Sequence, residues 1–133
     1  MAVTIRSRFS VDDVALSRLH SLAFFGHPDA PVQPWAERLA RHGLTWVGAF
    51  DDELLVGFVQ VCWDGGRHAF LLDTVVAPER RRRGIGRSLV QRAVADVRSA
   101  GCEWLHVDHE PHLTPFYRAC GFRPTEAGLL HLV

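Results

Sequence analysis

The pattern of apolar and polar positions at the start of the chain predicts a strand followed by a helix. The two kinds of residue alternate over residues 3–6, as they do along a half-buried strand. Apolar residues then recur every three or four positions over residues 11–23, as they do on the buried face of a helix. Ser10 followed by Asp13 resembles a capping box, which would start this helix at Ser10, and Gly26-His27-Pro28 would end it.

Beyond a second short helix, expected from about Pro34 to Arg41, the pattern changes to that of strands. Two strands are predicted over residues 45–50 and 55–63, joined by the acidic turn Asp51-Asp52-Glu53. The next strand, from about His68 to Ala77, is apolar on both faces. Such a pattern is typical of a central strand that is covered on both sides.

The second half of the chain predicts two more helices, with a strand between them. The first is opened by Gly86 and ended by Gly101, a strand follows from Glu103 to Asp108, and the second helix runs from about His112 to Cys120. One or two short strands are expected between Phe122 and Val133. The element order is therefore β-α-α-β-β-β-α-β-α-β, and the expected fold class is α/β: a mixed twisted sheet with helices on both faces.

The composition is that of one globular domain. The chain has 133 residues, 47% of them hydrophobic, and a formal net charge of zero. This length is typical of one domain, so we expect a single domain over residues 1–133. A neutral charge balance argues against a nucleic-acid partner, because dedicated nucleic-acid binders carry a basic excess.

The chain shows no sequence signal for a membrane or for export. No apolar stretch approaches the roughly 20 residues that span a bilayer, and residues 1–6 lack the basic and apolar regions of a signal peptide. The three cysteines, Cys62, Cys102 and Cys120, are odd in number and widely spaced. They are interpreted as free thiols of a cytoplasmic protein without a membrane partner.

A basic turn containing glycine joins the strand that ends near Ala77 to the helix at Gly86. It reads Val75-Val76-Ala77-Pro78-Glu79-Arg80-Arg81-Arg82-Arg83-Gly84-Ile85-Gly86. Backbone N–H groups at a helix start have no partner within the helix and favour bound anions. Gly84 and Gly86 would let phosphate approach the backbone, and the arginines add bidentate donors. The turn therefore predicts a phosphate site, with a solvated basic loop as the alternative.

This turn resembles the acetyl-CoA motif of the GNAT N-acetyltransferase superfamily, through Arg81-x-x-Gly84-x-Gly86 after a strand ending in Val-x-Pro. Arg82 departs from the glycine that many members have there. The resemblance implies that main-chain amides of the turn hold the pyrophosphate of acetyl-CoA, the co-substrate, and that residues 74–77 bind its pantetheine arm. The implied cofactor-binding residues are Val75, Val76, Ala77, Arg81, Arg82, Arg83, Gly84, Ile85, Gly86, Arg87 and Ser88.

Two other phosphate motifs do not fit this turn. A nucleotide P-loop requires Gly-Lys followed by Ser or Thr, which the turn lacks. A Rossmann turn would place its glycines directly after the first strand, with an acidic residue about 20 positions further on. Neither condition fits this turn well.

A second segment also resembles a GNAT signature. Residues 114–122, Thr-Pro-Phe-Tyr-Arg-Ala-Cys-Gly-Phe, predict a helix that carries Phe-Tyr and ends in Gly-Phe. The two signatures together cover about the last half of the chain, whereas the first half matches the family by element order only. Their co-occurrence at the family's usual separation is more specific than either signature alone.

The resemblance implies transfer of the acetyl group of acetyl-CoA to an amine by direct attack. It places Tyr117 beside the sulfur of CoA, where the phenol would act as a general acid on the departing thiolate. A thiol has a pKa near 8.5, so this proton transfer would be close to thermoneutral. A backbone N–H near Val75 or Val76 would hold the oxyanion. The alternative is that Tyr117 is only a packing aromatic.

Asp73 is the first choice for the general base. It lies in the middle of a strand among Leu71, Leu72, Val75 and Val76, where a carboxylate requires a partner. A hydrogen bond to a neighbouring loop or an ion pair with an arginine would explain it equally well. Asp108, His109 and Glu110 follow the next strand and are the other candidates, with His109 able to relay a proton near neutral pH.

Two further groups of residues allow more than one interpretation. His106, His109 and His112 recur at a spacing of three, but Pro111 argues against the helix that would align them, so no metal is expected. In the family, the region of Phe24, Phe25, His27 and Trp35 roofs the acceptor pocket, and ordinary core packing explains these side chains as well.

The sequence is therefore compatible with three functions. The first is acetylation of a small-molecule amine, and the second is acetylation of a protein N-terminus or lysine. The third is a non-catalytic CoA-binding module. A homodimer is a further expectation, because homodimers are common in the family and a terminal strand leaves an edge for pairing.

Overall fold

Five strands form one mixed sheet in a computed structural model that describes residues 2–133. Neighbouring strands follow chain order, and every pair is antiparallel except the last, β4 with β5, which is parallel. The strands are β1 (Thr4–Ser7), β2 (Gly43–Asp51), β3 (Leu54–Trp63), β4 (His68–Val76) and β5 (Trp104–Val107).

Four helices flank the sheet: α1 (Asp13–Phe25), α2 (Trp35–His42), α3 (Ile85–Ser99) and α4 (Thr114–Ala119). Successive residues of β3 show that both faces are covered. Phe58 meets the ring of Trp35 on α2 at 5.6 Å, whereas a Cβ on Gly57 would lie 2.9 Å from Leu89 on α3. The predicted fold class, a mixed sheet with helices on both faces, is confirmed.

The first helix begins later than predicted. Its cap is Asp12 rather than Ser10, and the Asp12 carboxylate accepts hydrogen bonds from the N–H groups of Val14 and Ala15 at 2.9 and 3.1 Å. A carboxylate at this position satisfies two amides and also complements the positive end of the helix dipole. Gly26, with φ at 77°, ends the helix as predicted.

One face of β4 is covered only in part, contrary to the prediction of a strand buried on both faces. Ala69 and Leu71 are buried, but Phe70 and Leu72 are 45% and 43% exposed. The helix α1 reaches this face further along the strand, at Asp73. The apolar side chains before that point therefore remain open to solvent.

The prediction of a final strand between Phe122 and Val133 is wrong. Residues 123–133 form no strand and make no backbone hydrogen bond to another element of the described chain. Apolar residues form a strand only where hydrogen bonds to a neighbouring strand and burial stabilise it. Here the leucines of the tail are more than four-fifths exposed.

The helices between residues 2 and 133 are all too short or too polar to cross a bilayer.

Candidate active site

A gap opens where β4 and β5 stop pairing. The parallel pairs run from His68 with Trp104 to Leu71 with Val107, after which β5 ends and β4 continues to Val76. The Ala77 N–H donates to the carbonyl oxygen of Val56 on β3 at 2.8 Å. Because main-chain groups alternate in direction along a strand, those of Val76 face the gap. The segment predicted to bind pantetheine thus presents a free hydrogen-bonding edge within the described chain.

A β-bulge lies at the mouth of this gap. Phe58 pairs with Val75 and Gln60 pairs with Leu72, so both Asp73 and Thr74 lie opposite the single residue between them on β3. Asp73 has φ at 59°, in the left-handed region. A bulge bends its strand and increases the twist. It therefore turns the end of β4 at the point where pairing with β5 is lost.

The start of α3 is open to an anion. Gly84 precedes the helix with φ at 78°, and no side chain caps it. The first helical hydrogen bond is from Ser88 N–H to the Gly84 carbonyl, so the amides of residues 85–87 have no partner within residues 2–133. A Cβ on Gly84 would meet nothing within 4 Å, and a cavity of about 240 Å³ lies beside Arg83 and Ser88. These features fit the predicted phosphate site.

The glycine positions of the motif serve different purposes. Arg82 has φ at 64°, a conformation that favours glycine, which explains the family preference at this position. Gly86 was expected to let phosphate approach the backbone. A Cβ there would instead lie 3.3 Å from two ring atoms of Phe116 and 3.7 Å from Val76. Gly86 therefore permits close packing of α3 against α4 and the end of β4.

The arginines of the turn also differ from one another. Arg80, largely buried, forms an ion pair with Asp51 at 3.0 Å, and Arg81 donates to the carbonyl oxygen of Ala23 on α1 at 3.3 Å. The exposed side chains of Arg82 and Arg83 make no ion pair within the described chain. Part of the arginine run therefore ties the turn to its neighbours, and the rest is available to an anion.

Tyr117 of α4 reaches β4 at the bulge. Its side chain is only 6% exposed, and its hydroxyl donates to Thr74 Oγ1 at 3.2 Å. The ring of His109 stacks on it at 4.8 Å. Burial raises the pKa of Tyr117, and the hydrogen bond to Thr74 offsets this only in part. The phenol therefore stays protonated at neutral pH and is able to donate a proton.

Asp73 lies on the α1 side of the sheet, held by two neutral or basic side chains. His20 Nε2 donates to its Oδ1 at 3.0 Å, and Gln60 Nε2 donates to its Oδ2 at 2.6 Å. Burial acts to raise the pKa of Asp73, but these hydrogen bonds and the charge of Arg38 outweigh it, so the pKa is lowered. A carboxylate with a lowered pKa is a weak proton acceptor. This environment favours an anchoring role for Asp73 over that of a base.

The other candidate bases and the histidine series do not converge. His106 shares a hydrogen bond of 2.7 Å with His68, whereas the Nδ1 of His109 donates to the Glu110 carbonyl at 2.8 Å. Asp108 and Glu110 are exposed. No three metal-binding side chains come together within residues 2–133.

Sequence reasoning missed His20 and Gln60. Gln60 is a polar residue between Val59 and Val61 on β3, whereas His20 lies between Leu19 and Ser21 on α1 and shows no such contrast. The contrast at Gln60 was the available signal, because a polar residue at a covered position requires a partner. The partner, Asp73, is 53 residues from His20 along the chain.

The aromatic residues expected near the acceptor divide into two groups. Trp35 is 2% exposed and packs on Phe58, so it belongs to the core. Phe24 and Phe25 are more than half exposed. The ring of Phe24 lies 4.6 Å from that of His20, beside the Asp73 cluster.

Comparison with known proteins identifies the family. Residues 14–122 match the model of the acetyltransferase (GNAT) family, and the chain belongs to this family.

Two relatives illustrate the range of similarity. Serotonin N-acetyltransferase 2, chloroplastic, of Oryza sativa is 37% identical over 67 residues, which are 50% of this chain and 34% of the relative. The chain thus spans about a third of that relative's length. Aminoglycoside N(6')-acetyltransferase type 1 of Stenotrophomonas maltophilia is 29% identical, covering 94% of this chain and 89% of the relative.

Solved structures share the fold. An acetyltransferase of Trypanosoma brucei superposes with a TM-score of 0.84 at 22% identity, covering 99% of this chain and 100% of the other. AAC(6')-Iy in complex with the bisubstrate analogue CoA-S-monomethyl-acetylneamine gives a TM-score of 0.79 at 22% identity, covering 100% and 99%.

Proposed function

We propose that this protein transfers the acetyl group of acetyl-CoA to a primary amine of a small molecule. The observation that carries the proposal is the position of the Tyr117 hydroxyl, on Thr74, where β4 presents a free edge to the gap. Membership of the GNAT family supports the reaction class. A small-molecule acceptor is supported by the aminoglycoside acetyltransferase, which aligns over nearly the whole chain.

Acetyl-CoA fits two features that lie next to each other in the chain. The uncapped amides of residues 85–87 suit its pyrophosphate, and the exposed guanidinium groups of Arg82 and Arg83 add positive charge. From there the pantetheine arm would run along the free edge of β4 and donate a hydrogen bond to the carbonyl oxygen of Val76. This path would end with the thioester beside Tyr117.

The chemistry then needs an oxyanion donor and an acid. As the amine nitrogen bonds to the thioester carbon, the Val76 N–H would stabilise the oxyanion. When the carbon–sulfur bond breaks, the Tyr117 hydroxyl would give its proton to the thiolate. The raised pKa of Tyr117 keeps that proton in place, although it makes the transfer less well matched to a thiol.

A thiol-release screen tests this proposal. Purified protein with acetyl-CoA is incubated with serotonin, an aminoglycoside, a peptide with a free N-terminus, or a lysine peptide, and free CoA and the acetylated product are measured. Turnover with small amines alone supports the proposal. Turnover with a peptide alone would move the acceptor to proteins. Tight acetyl-CoA binding without any product would make the chain a CoA-binding module.

A further inference from the structure

We infer that His20 accepts the proton of the attacking amine and that Asp73 is a positioning residue that orients it. This inference rests on the proposed acetyl transfer and assigns a base that the family resemblance did not. Its starting point is the 3.0 Å hydrogen bond between His20 Nε2 and Asp73 Oδ1.

The hydrogen bond determines which ring nitrogen is free. Asp73, whose pKa is lowered, is ionised at neutral pH and can only accept, so Nε2 of His20 must carry the hydrogen. The lone pair of the neutral ring is then on Nδ1. No described residue makes a hydrogen bond to this atom. A histidine held by a carboxylate through one nitrogen, with the other free, is the arrangement of a general base.

The bulge of β4 brings this pair close to the acid. Asp73 holds His20, and the next residue, Thr74, accepts the hydrogen bond of Tyr117. The proton acceptor and the proton donor are thus attached to consecutive residues of one strand. An acetyl group placed in the gap beside Thr74 would lie between them.

The surroundings of His20 leave its imidazole accessible to a substrate. Its side chain is 24% exposed, and the rings of Phe24 and Trp35 lie 4.6 and 5.1 Å away. Asp73 of β4 faces it with a negative charge. Arg38 of α2 is near enough to Asp73 to lower its pKa, and the Arg81 guanidinium binds the Ala23 carbonyl one turn further along α1.

The proposed step balances in protons and bonds. The neutral amine attacks, its nitrogen forms a bond with the carbonyl carbon, and the proton that becomes acidic on that nitrogen passes to His20 Nδ1. The carbon–sulfur bond then breaks, and the thiolate takes the proton of Tyr117. Solvent returns the proton from the His20 imidazolium to the Tyr117 phenolate, which restores both groups.

The pH dependence of kcat/KM for the amine tests this assignment. In His20→Gln, kcat should fall about 10-fold or more and the acidic limb attributed to the histidine should disappear, because glutamine cannot accept a proton. Affinity for acetyl-CoA should stay within about twofold of the parent, since His20 is on the other side of the sheet from the α3 amides. His42→Gln, at the exposed end of α2, is the matched control and should behave as the parent.

Asp73→Asn separates the positioning role from that of a base. Loss of the carboxylate should lower kcat but retain the acidic limb of the pH profile, because the imidazole that accepts the proton is still present and only its orientation is lost. If the limb vanishes in Asp73→Asn and persists in His20→Gln, Asp73 is the base and the inference is wrong. If His20→Gln fails to fold, the pH profile of Asp73→Asn still tests the inference: a retained acidic limb supports His20 as the base, and a lost limb contradicts it. A parent protein that acetylates no amine would overturn the proposed function itself, whereas an active parent with an unchanged His20→Gln profile would overturn only this inference.

Discussion

The hydroxyl of Tyr117 lies 3.2 Å from Thr74 Oγ1, at the point where β4 has lost its pairing with β5. This contact joins the last helix of the fold to the bulge of β4. It also places the proposed acid beside the residue that holds His20.

Replacement of Tyr117 by Phe should lower kcat by about 10-fold or more while acetyl-CoA affinity stays near that of the parent. Phenylalanine keeps the ring contacts with His109 and Phe116 and removes only the hydroxyl. The deficit should shrink with an acetyl thioester of a more acidic thiol, since that thiolate needs no proton to leave. An unchanged kcat, with chemistry shown to be rate-limiting, would make Tyr117 a packing residue.

Replacement of Gly84 by Glu should abolish acetyl-CoA binding, measured by calorimetry, because a negative side chain would lie against the predicted pyrophosphate site. The control is Gly84→Asn, since asparagine tolerates the left-handed φ of 78° and adds no charge. It should keep most of the affinity. Equal binding by a folded Gly84→Glu variant would contradict this placement of the pyrophosphate.

Arg82 should tolerate glycine but not valine. Its left-handed φ costs an ordinary residue about 1–2 kcal/mol, and a β-branched residue more. Glycine removes that cost. It also has more conformational freedom in the unfolded state, which lowers the free energy of unfolding by about 0.5–1 kcal/mol. We expect the unfolding free energy of Arg82→Gly to match the parent within about 1 kcal/mol, and that of Arg82→Val to be lower by more than that. The neighbour Arg83→Val is the control and should change stability little.

The lowered pKa of Asp73 should make part of the folding stability depend on pH. A carboxylate whose folded pKa lies below its unfolded value stabilises the fold above the unfolded pKa, near 3.9, and loses that contribution as pH falls through the folded pKa. The difference in unfolding free energy between the parent and Asp73→Asn should therefore shrink as pH is lowered from 5 to 3. Denaturant titrations at several pH values measure it, and a constant difference would mean that the pKa is not shifted.

The conformation of the turn that is proposed to bind phosphate could be predicted from sequence because all of its parts are local. The strand, the proline, Gly84 and the helix start lie within a few residues of one another, and each has its own sequence signal. The family resemblance extended this to the helix that carries Phe116 and Tyr117. The element order before residue 122 followed from periodicity in the same way.

The remaining part of the site depends on contacts that periodicity does not encode. The bulge at Asp73 changes the register by one residue, and nothing in the run from Leu71 to Val76 marks that extra residue. His20 and Asp73 meet only because α1 packs across β4. The predicted final strand is absent for a related reason: β5 leaves one edge of the sheet unpaired, but residues 123–133 make no backbone hydrogen bond to it within the described chain.

In the proposed reaction, the gap between β4 and β5 would give each substrate its own entrance. The α3 amides lie on one side of the sheet and His20 on the other, so acetyl-CoA and the amine would enter from opposite faces and meet beside Thr74. Neither would have to leave before the other arrives, and no acyl-enzyme is needed to store the acetyl group. Double-reciprocal plots of initial velocity should therefore intersect rather than run parallel, and the product CoA should compete with acetyl-CoA but not with the amine.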